Sequence, residues 1–510
     1  PLLGALRVDG VSYRFMGVND IPLITVIPTA ATERWDAVYT EKEPVGEWTG
    51  VDYNDESWEK GKAAFGTTDM PNLSTPWETK NIWVRRTFEL TEDLSGKPVI
   101  LEYSHDDDFE LYINGIKVVE TGYAWNNNVL LELPDEVKAT LKPGKNILAA
   151  YGQNRVGGAY VDFGLFLEDE SVDRFEKAAV QKSVNVLPTQ TYYTFTCGPV
   201  ELDLIFTAPL LMDDLDLLST PVNYISYQVR PVDGKEHDVQ LYVEATPDWA
   251  INSPVQEVET TFSEDGNLLF AKTGTIEQPI LQKKGDNVRI DWGYFYLASG
   301  KKKNAAIRIG EYKDIKSQFI NTGNIVLPHF LETKTQSSSA VLAYSEDMGK
   351  ISGASAGFLM LGYDDIYAIQ YFHDNRQAYW KHNGTVDIIQ AFEKADNNYL
   401  SVMERCAAFD NRMMDDAGKA GGQAYAELCA LAYRQAISAH KMIEDKDGNL
   451  LFLSKENFSN GSIGTVDITY PSSPLFLIYN PDLVKGMMEP IFYFSESGKW
   501  NKPFPAHDVG

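Results

Sequence analysis

Cysteine is scarce, with only Cys197, Cys406 and Cys429 in 510 residues. Their spacing fits neither a disulfide framework nor a zinc-ligand pattern. They read as buried free thiols, although Cys406 and Cys429 can meet if their helices pair, leaving Cys197 odd. Basic charge is short too: 45 Lys plus Arg face 73 Asp plus Glu, a formal net charge of −28. A field of that sign repels phosphate backbones and anionic headgroups, so no nucleic-acid or membrane-surface partner is expected. No apolar run reaches the roughly 18 residues of a spanning helix, and the start carries no signal-peptide pattern. G-x-S-x-G, the Walker lysine loop and H-E-x-x-H are all missing, which disfavours their chemistries. Asp445-Lys-Asp-Gly-Asn449 has its glycine too early for a calcium loop and reads as a turn. No metal and no cofactor are expected.

What is present is an ordinary globular mixture, 44% hydrophobic and 23% charged, long enough for about three domains. Aromatic content of 12%, with 27 Tyr and 10 Trp, leans towards stacking surfaces of the kind that carbohydrate-handling proteins use. Residues 1 to about 31 read as short strands, with Asp9-Gly10 as a hairpin turn. From 32 to 168, period-two runs such as Ile82–Leu90 and Phe109–Ile113, the turn Asn114-Gly115 and the Leu141–Asn146 turn predict an antiparallel sandwich. A second β-region over 169–395, with longer strands such as Val200–Phe206 and Val222–Val229, predicts a larger two-sheet sandwich.

After about 396 the period becomes helical. A helix is expected over 397–415, with Gly421-Gly422 as the turn to the next. There Tyr425, Leu428, Cys429, Ala432, Tyr433, Ala436 and Ile437 fall on one face. A polar loop over 455–470 and a helix near 482–497 follow. Helices joined in pairs suggest helical hairpins, and so few cannot close a ring. The expected fold is therefore mainly β with a C-terminal α part: a jelly-roll sandwich, a second large sandwich and the opening of a helical-hairpin domain. The chain opens on Pro1 without an initiator Met and stops at Gly510, so truncation at both ends is expected, with the missing C-terminal part of the same protein as a partner.

The block 32–168 resembles the galactose-binding-like jelly rolls attached to many glycoside hydrolases. It does so through Tyr53–Trp58, Phe65-Gly66, Trp83–Phe88, Asp107–Gly115 and Leu141–Asn146. The rest is similar to the glutaminase A family, known from fungi and from gut and soil bacteria. The strings that carry this are Leu6–Gly10 with Tyr13–Gly17, Val186-Leu-Pro-Thr-Gln-Thr191 and Arg289-Ile-Asp-Trp-Gly-Tyr294. Further on come Leu431–Ala436, Ser454–Gly461, Gly464–Asp467, Tyr470-Pro471 and Phe504–Asp508. The resemblance implies a β-supersandwich over 169–395, an incomplete (α/α)6 six-hairpin domain over 396–510, secretion or a periplasmic location with the signal absent, and release of ammonia from L-glutamine. It also implies that one essential carboxylate lies in an acidic Pro-Val-Glu-Glu stretch beyond Gly510.

Hydrolysis of an amide or glycoside asks for an activated water and a proton donor, roles that two carboxylates in unlike settings can share. Glu456 and Asp467 on the 455–470 loop, with His507 and Asp508, are the catalytic candidates. Lys455, Asn457, Asn460, Tyr433, Arg434 and Tyr470 are the substrate-binding candidates, joined in the jelly roll by Trp125 and Arg155, which with Asn126, Asn127 and Asn128 suit a pyranose. Each has a plain alternative. Asp467 suits a turn cap, Glu456 a surface charge, His507 simple exposure and Tyr433 the core, while Arg434 suits pairing with a cleft carboxylate. Asp410 is a weaker candidate. Asp364, Asp365, Tyr367, Gln370, Arg376 and Trp380 suit either a cleft wall or a structural polar network. Asn72, Asn383, Asn457 and Asn460 fit glycosylation sequons. Beside the amidohydrolase stand two other readings: a glycoside hydrolase on the same scaffold, acting on a small-molecule or oligosaccharide substrate, and a non-catalytic carbohydrate-binding fragment.

Overall fold

The computed structural model describes residues 2–18, 22–68, 70, 73–77, 79–283, 289–326, 329–456 and 460–509. It divides into two compact units, residues 20–172 and residues 1–19 with 173–510.

The 20–172 unit is a sandwich of two six-stranded sheets. Strand Asp108–Ile113 alternates strictly, burying Phe109, Leu111 and Ile113 against Leu101, Phe163 and Leu165 of the facing sheet. Asn114-Gly115 takes positive φ at both residues, the geometry that lets a two-residue turn follow the strand twist. Strand Leu23–Ile27, expected with the N-terminal strands, instead pairs with Tyr160–Glu168 in this unit. Gly164 permits that pairing, because a Cβ there would meet the Ile27 carbonyl oxygen at 2.7 Å.

The string Trp83–Phe88 serves this unit's interior. Arg85 Nε donates to Asp55 Oδ2 at 2.7 Å and its guanidinium lies over Tyr53 at 5.2 Å, locking the Tyr53–Trp58 loop. Arg86 donates to the carbonyls of Pro28 and Phe163 and stacks over Trp35. Burial brings its pKa down to about 10. The buried Asp162 accepts from Ala30 N at 2.8 Å and Trp35 Nε1 at 3.0 Å, and burial raises its carboxyl above the usual range. Asp162→Ala would strand both donors and the Arg86 charge. The expected loss is about 3 kcal/mol, confined to this unit's transition in calorimetry.

The second unit is also a two-sheet sandwich. Strands Leu2–Val8 and Val11–Met16, joined at Asp9-Gly10, belong to a six-stranded sheet with His237–Ala245 and Ala340–Ile351. The nine-stranded sheet runs, in order, through the strands beginning at 180, 190, 200, 222, 355, 294, 268, 257 and 332. Its inner face packs Leu202, Ile225, Leu297 and Leu359 against Leu6, Val8, Leu241 and Tyr344.

Its outer face carries the helical part. Tyr224, Phe270, Tyr296 and Met360 are covered by Phe392 from helix Ile388–Asn397 and by Val402, Cys406 and Phe409 from helix Tyr399–Gly421. Tyr433 and Ile437 from helix Gln423–Ser438 complete the cover. The helix expected over 397–415 is Tyr399–Gly421; a further helix, Ile388–Asn397, precedes it within the stretch expected to be β, started by an Asp387–Gln390 capping box. In helix Gln423–Ser438 the buried seam is Ala426, Ala430, Tyr433 and Ile437, whereas Tyr425 and Leu428 stay exposed. Small alanines allow close helix approach, and that outranks the bulkier stripe read from the sequence.

A hairpin, His440–Glu444 with Leu450–Ser454, interrupts the helices, and Asp445–Asn449 is its turn. The loop expected over 455–470 ends at 465, because helix Val466–Tyr479 forms despite Pro471 and Pro474. Ser472 and Ser473 hydroxyls bond the Ile468 and Thr469 carbonyls there. Helix Pro481–Glu496 follows. All three cysteines are free; burial pushes the Cys197 thiol up to about 12 and Cys406 to about 11.

Candidate active site

The site is built where the 248–251 and 289–293 segments of the sandwich meet the hairpin of the helical part. Arg289–Tyr294 is held to the 363–367 segment. Trp292 Nε1 donates to the Tyr367 carbonyl at 3.1 Å, and Tyr363 Oη donates to the Trp292 carbonyl at 2.5 Å. Gly293, at φ +80°, backs directly onto the Asp364 carbonyl and leaves no room for a Cβ. Asp291 is fully buried and bonds Gln256 Nε2 at 2.9 Å as well as Lys283 Nζ.

A cleft of about 420 Å³ lies against this wall, lined by Asp248, Trp249 and Arg289 on one side and by Ser438, His440, Lys441 and Lys455 on the other. Lys441 Nζ pairs with the buried Asp365 at 2.8 Å. The half-buried Lys455 ammonium has no side-chain partner among the described residues. Burial, and then repulsion from Lys441, holds its pKa below the usual lysine value. His440 stacks on Phe452, and burial takes its pKa down to about 4, so it lines the cleft as a neutral ring. Trp249 also borders a second, mostly apolar cavity of about 410 Å³ that Arg434 lines.

Three segments lie side by side beyond the cleft. Lys455 bridges Ile463, Val509 N donates to the Ile463 carbonyl at 2.9 Å, and Val466 N donates to the His507 carbonyl at 2.9 Å. They bring three candidates together: His507 Nδ1 contacts Asp508 Oδ2 at 2.9 Å and its Nε2 stands 3.5 Å from Asp467 Oδ2. Asp508 foremost, and Asp467 after it, raise the His507 pKa above 6.5. Glu456 Oε2 accepts from Asn460 Nδ2 at 2.5 Å. Neighbouring residues of an extended segment point to opposite sides, and among Glu456, Asp467, His507 and Asp508 none lines the cleft that Lys455 enters. Asp467 and Tyr470 sit in the first turn and a half of a helix, and Tyr470 is 83% exposed. Asn457 lies outside the described residues, as does Asn72.

Tyr433 is a correction. It is fully buried, packed on Phe409 and Tyr479 with Oη donating to the Leu210 carbonyl at 2.6 Å, so no part of it is open to a substrate. Arg434 Nη1 donates to Thr191 Oγ1 at 2.7 Å. Asp410 is fully buried; its Oδ1 accepts from Thr189 N and Oγ1 at 2.8 and 2.9 Å, while Oδ2 has no hydrogen-bond partner among the described residues. Of the expected cleft wall, Asp364 pairs with Lys381 at 2.6 Å, and Trp380 is core. Tyr367 and Arg376 line a separate cavity of about 270 Å³. Gln370 bonds Asn375 in its own hairpin.

Trp125 and Arg155 belong to the 20–172 unit. Trp125 is 60% exposed near the exposed Tyr123, and Arg155 is bidentate on Asp108 with its guanidinium 5.8 Å from the Tyr123 ring. Asn126 contacts His105 Nε2, while Asn127 and Asn128 accept from Ser104 Oγ, so these amides are engaged internally. Lys441, Trp249 and His440 were not singled out by sequence. Asp447-Gly448 between two apolar runs was the available hairpin signal. Among the described residues no group of three His, Cys, Asp or Glu side chains could hold a metal ion, and no helix is long and apolar enough to cross a membrane.

The architecture defines a mainly β protein ending in a helical-hairpin domain. A domain of unknown function (DUF5127) matches residues 189–416, and the Glutaminase A six helical-hairpin domain matches residues 422–510. The chain is 26% identical over 339 residues to Glutaminase A of Aspergillus oryzae, covering 65% of this chain and 48% of that protein. It is 35% identical over 102 residues to an Arthroderma benhamiae protein named "Probable glutaminase", covering 20% and 12%. The chain belongs to the glutaminase A family. It spans about half the length of the Aspergillus relative. Among solved structures, a glycosyl hydrolase family 2 member from Bacteroides cellulosilyticus superposes with a TM-score of 0.21 at 8% identity, covering 52% of this chain and 33% of that one. A β-glycosidase from Bacteroides vulgatus gives 0.22 at 11%, covering 54% and 32%. Overlap that low carries no argument.

Two outcomes are expected from the titrating groups. Burial takes the Asp410 pKa up to about 6. The unfolded chain binds fewer protons between pH 4 and 6, so this group's contribution to stability grows as pH falls through that window and is lost above it. Asp410→Asn should therefore reduce the gain in urea stability between pH 8 and pH 5 by about 1 kcal/mol. In NMR titration His507 should ionise above 6.5, and Asp508→Asn should move it back down.

Proposed function

We propose that the chain is part of a secreted hydrolase of the glutaminase A type that converts L-glutamine to glutamate and ammonia. The observation that carries this reading is the match of residues 422–510 to the Glutaminase A six helical-hairpin domain, on the same segment as the cleft lysine. Lys455, whose half-buried ammonium has no side-chain partner among the described residues, is suited to the substrate α-carboxylate; Asp248 across the cleft is suited to the α-ammonium. Because Glu456 faces away from Lys455, one glutamine meets both groups by passing its side chain out of the cleft to the opposite side of the segment, where Glu456, oriented by Asn460, is assigned to take a proton from the attacking water as oxygen bonds the side-chain carbonyl carbon. His507, held between Asp467 and Asp508, is assigned to protonate the departing nitrogen as the C–N bond breaks. Tyr470, exposed on helix Val466–Tyr479, and Arg434, which lines the neighbouring apolar cavity, are assigned as substrate contacts of lesser weight.

The test is ammonia release from L-glutamine by the protein at the full length at which it is made, with reducing-sugar release from a glycan panel measured in parallel. Lys455→Met should raise KM at least about tenfold with a smaller change in kcat, as expected for loss of one charge-assisted contact in the ground state. Glu456→Gln and Asp467→Asn should lower kcat by about a hundredfold or more. Sugar release without ammonia would overturn the assignment in favour of a glycosidase.

A further inference from the structure

Apart from the cleft above, a groove of about 910 Å³ runs across the nine-stranded sheet, beside the start of helix Tyr399–Gly421. Its rings are fixed. Phe358 and Tyr399 stack at 3.8 Å with 6° between planes, Tyr399 Oη donates to Ser226 Oγ at 2.8 Å, and Tyr192 Oη donates to Gln190 Oε1 at 2.7 Å. The charges are settled with one exception. Lys302 pairs with Glu346 at 2.9 Å, and Asp203 with Arg230 and Thr194. Asp396 also lines the groove. Its carboxylate is half-buried and has no hydrogen-bond or ion-pair partner among the described residues, and burial alone raises its pKa.

We infer that this groove binds a neutral oligosaccharide. Pre-set tyrosine and phenylalanine rings give apolar faces for pyranose C–H groups. The unpaired Asp396 carboxylate accepts from sugar hydroxyls, and the exposed carboxamides of Gln228 and Asn397 on the rim offer a donor and an acceptor each to vicinal hydroxyls. A pocket of this volume holds a ligand longer than one sugar ring. A peptide added as a strand does not fit, because strands Gln190–Cys197, Val200–Thr207, Val222–Pro231 and Ser355–Asp364 are each paired on both sides. The groove shares no lining residue with the cleft of Lys455, so it is a binding site independent of the proposed reaction.

Titration calorimetry with cellohexaose, mannohexaose and maltohexaose tests it, with spermidine as a cationic probe. One glycan should bind one-to-one at millimolar or better affinity. Tyr192→Ala and Asp396→Asn should each weaken it about fivefold or more, as loss of one ring or one hydrogen bond does. Trp125→Ala, in the other unit, and Lys455→Met should leave it unchanged. The inference falls if no glycan binds, if binding survives both groove changes, or if spermidine binds and is lost with Asp396→Asn.

Discussion

The outer face of the nine-stranded sheet presents Tyr224, Phe270, Tyr296 and Met360, and leaving such side chains to water would cost about 2 kcal/mol each. The helices Ile388–Asn397, Tyr399–Gly421 and Gln423–Ser438 cover them, and the placing of the cleft depends on that seat. It fixes where the hairpin after Ser438 leaves the helices, and therefore where Lys441 and Lys455 stand against Trp249 and Arg289.

Apolar burial sets the energy of the seat, and polar contacts set its register. Asp410 reaches from a helix into the sheet to take both donors of Thr189, and Arg434 reaches Thr191 two residues on. Tyr433, on the same helix as Arg434, bonds the Leu210 carbonyl, and Asn480 at the start of helix Pro481–Glu496 bonds the Met212 carbonyl, tying one further helix to the 210–212 segment. A carboxylate buried without a counter-ion partner at hydrogen-bond distance is costly at neutral pH, so it acts as a device of position rather than of net stability.

Much of this was legible in the sequence because local rules and tertiary packing agree. Asp9-Gly10 and Asn114-Gly115 form hairpins, and alternating runs such as Phe109–Ile113 bury the expected side. The strings Val186–Thr191 and Leu431–Ala436 turn out to be partners, the first supplying the polar groups that the second and Asp410 engage. What was missed involves conflict between levels. Helix Val466–Tyr479 forms through two prolines because packing of Phe476 outweighs the lost backbone bonds. The alanine seam of Gln423–Ser438 defeats a reading that ranks residues by bulk. For the site, residue types pointed to the Asp467–His507–Asp508 group, but only the register of the Lys455–Ile463 bridge shows that Glu456 and Lys455 face apart. Lys441 was hidden because its role arises from a pairing with Asp365, 76 residues away.

Shared burial of sheet and helices implies a single cooperative body for residues 1–19 and 173–510. Thermal unfolding followed together by calorimetry and by the helical far-ultraviolet signal tests this most directly. The helical signal should vanish in the same transition as the nine-stranded sheet, with residues 20–172 melting in a transition of their own. Loss of the helices in an earlier step, with the sheet intact, would contradict the seat on which the cleft depends.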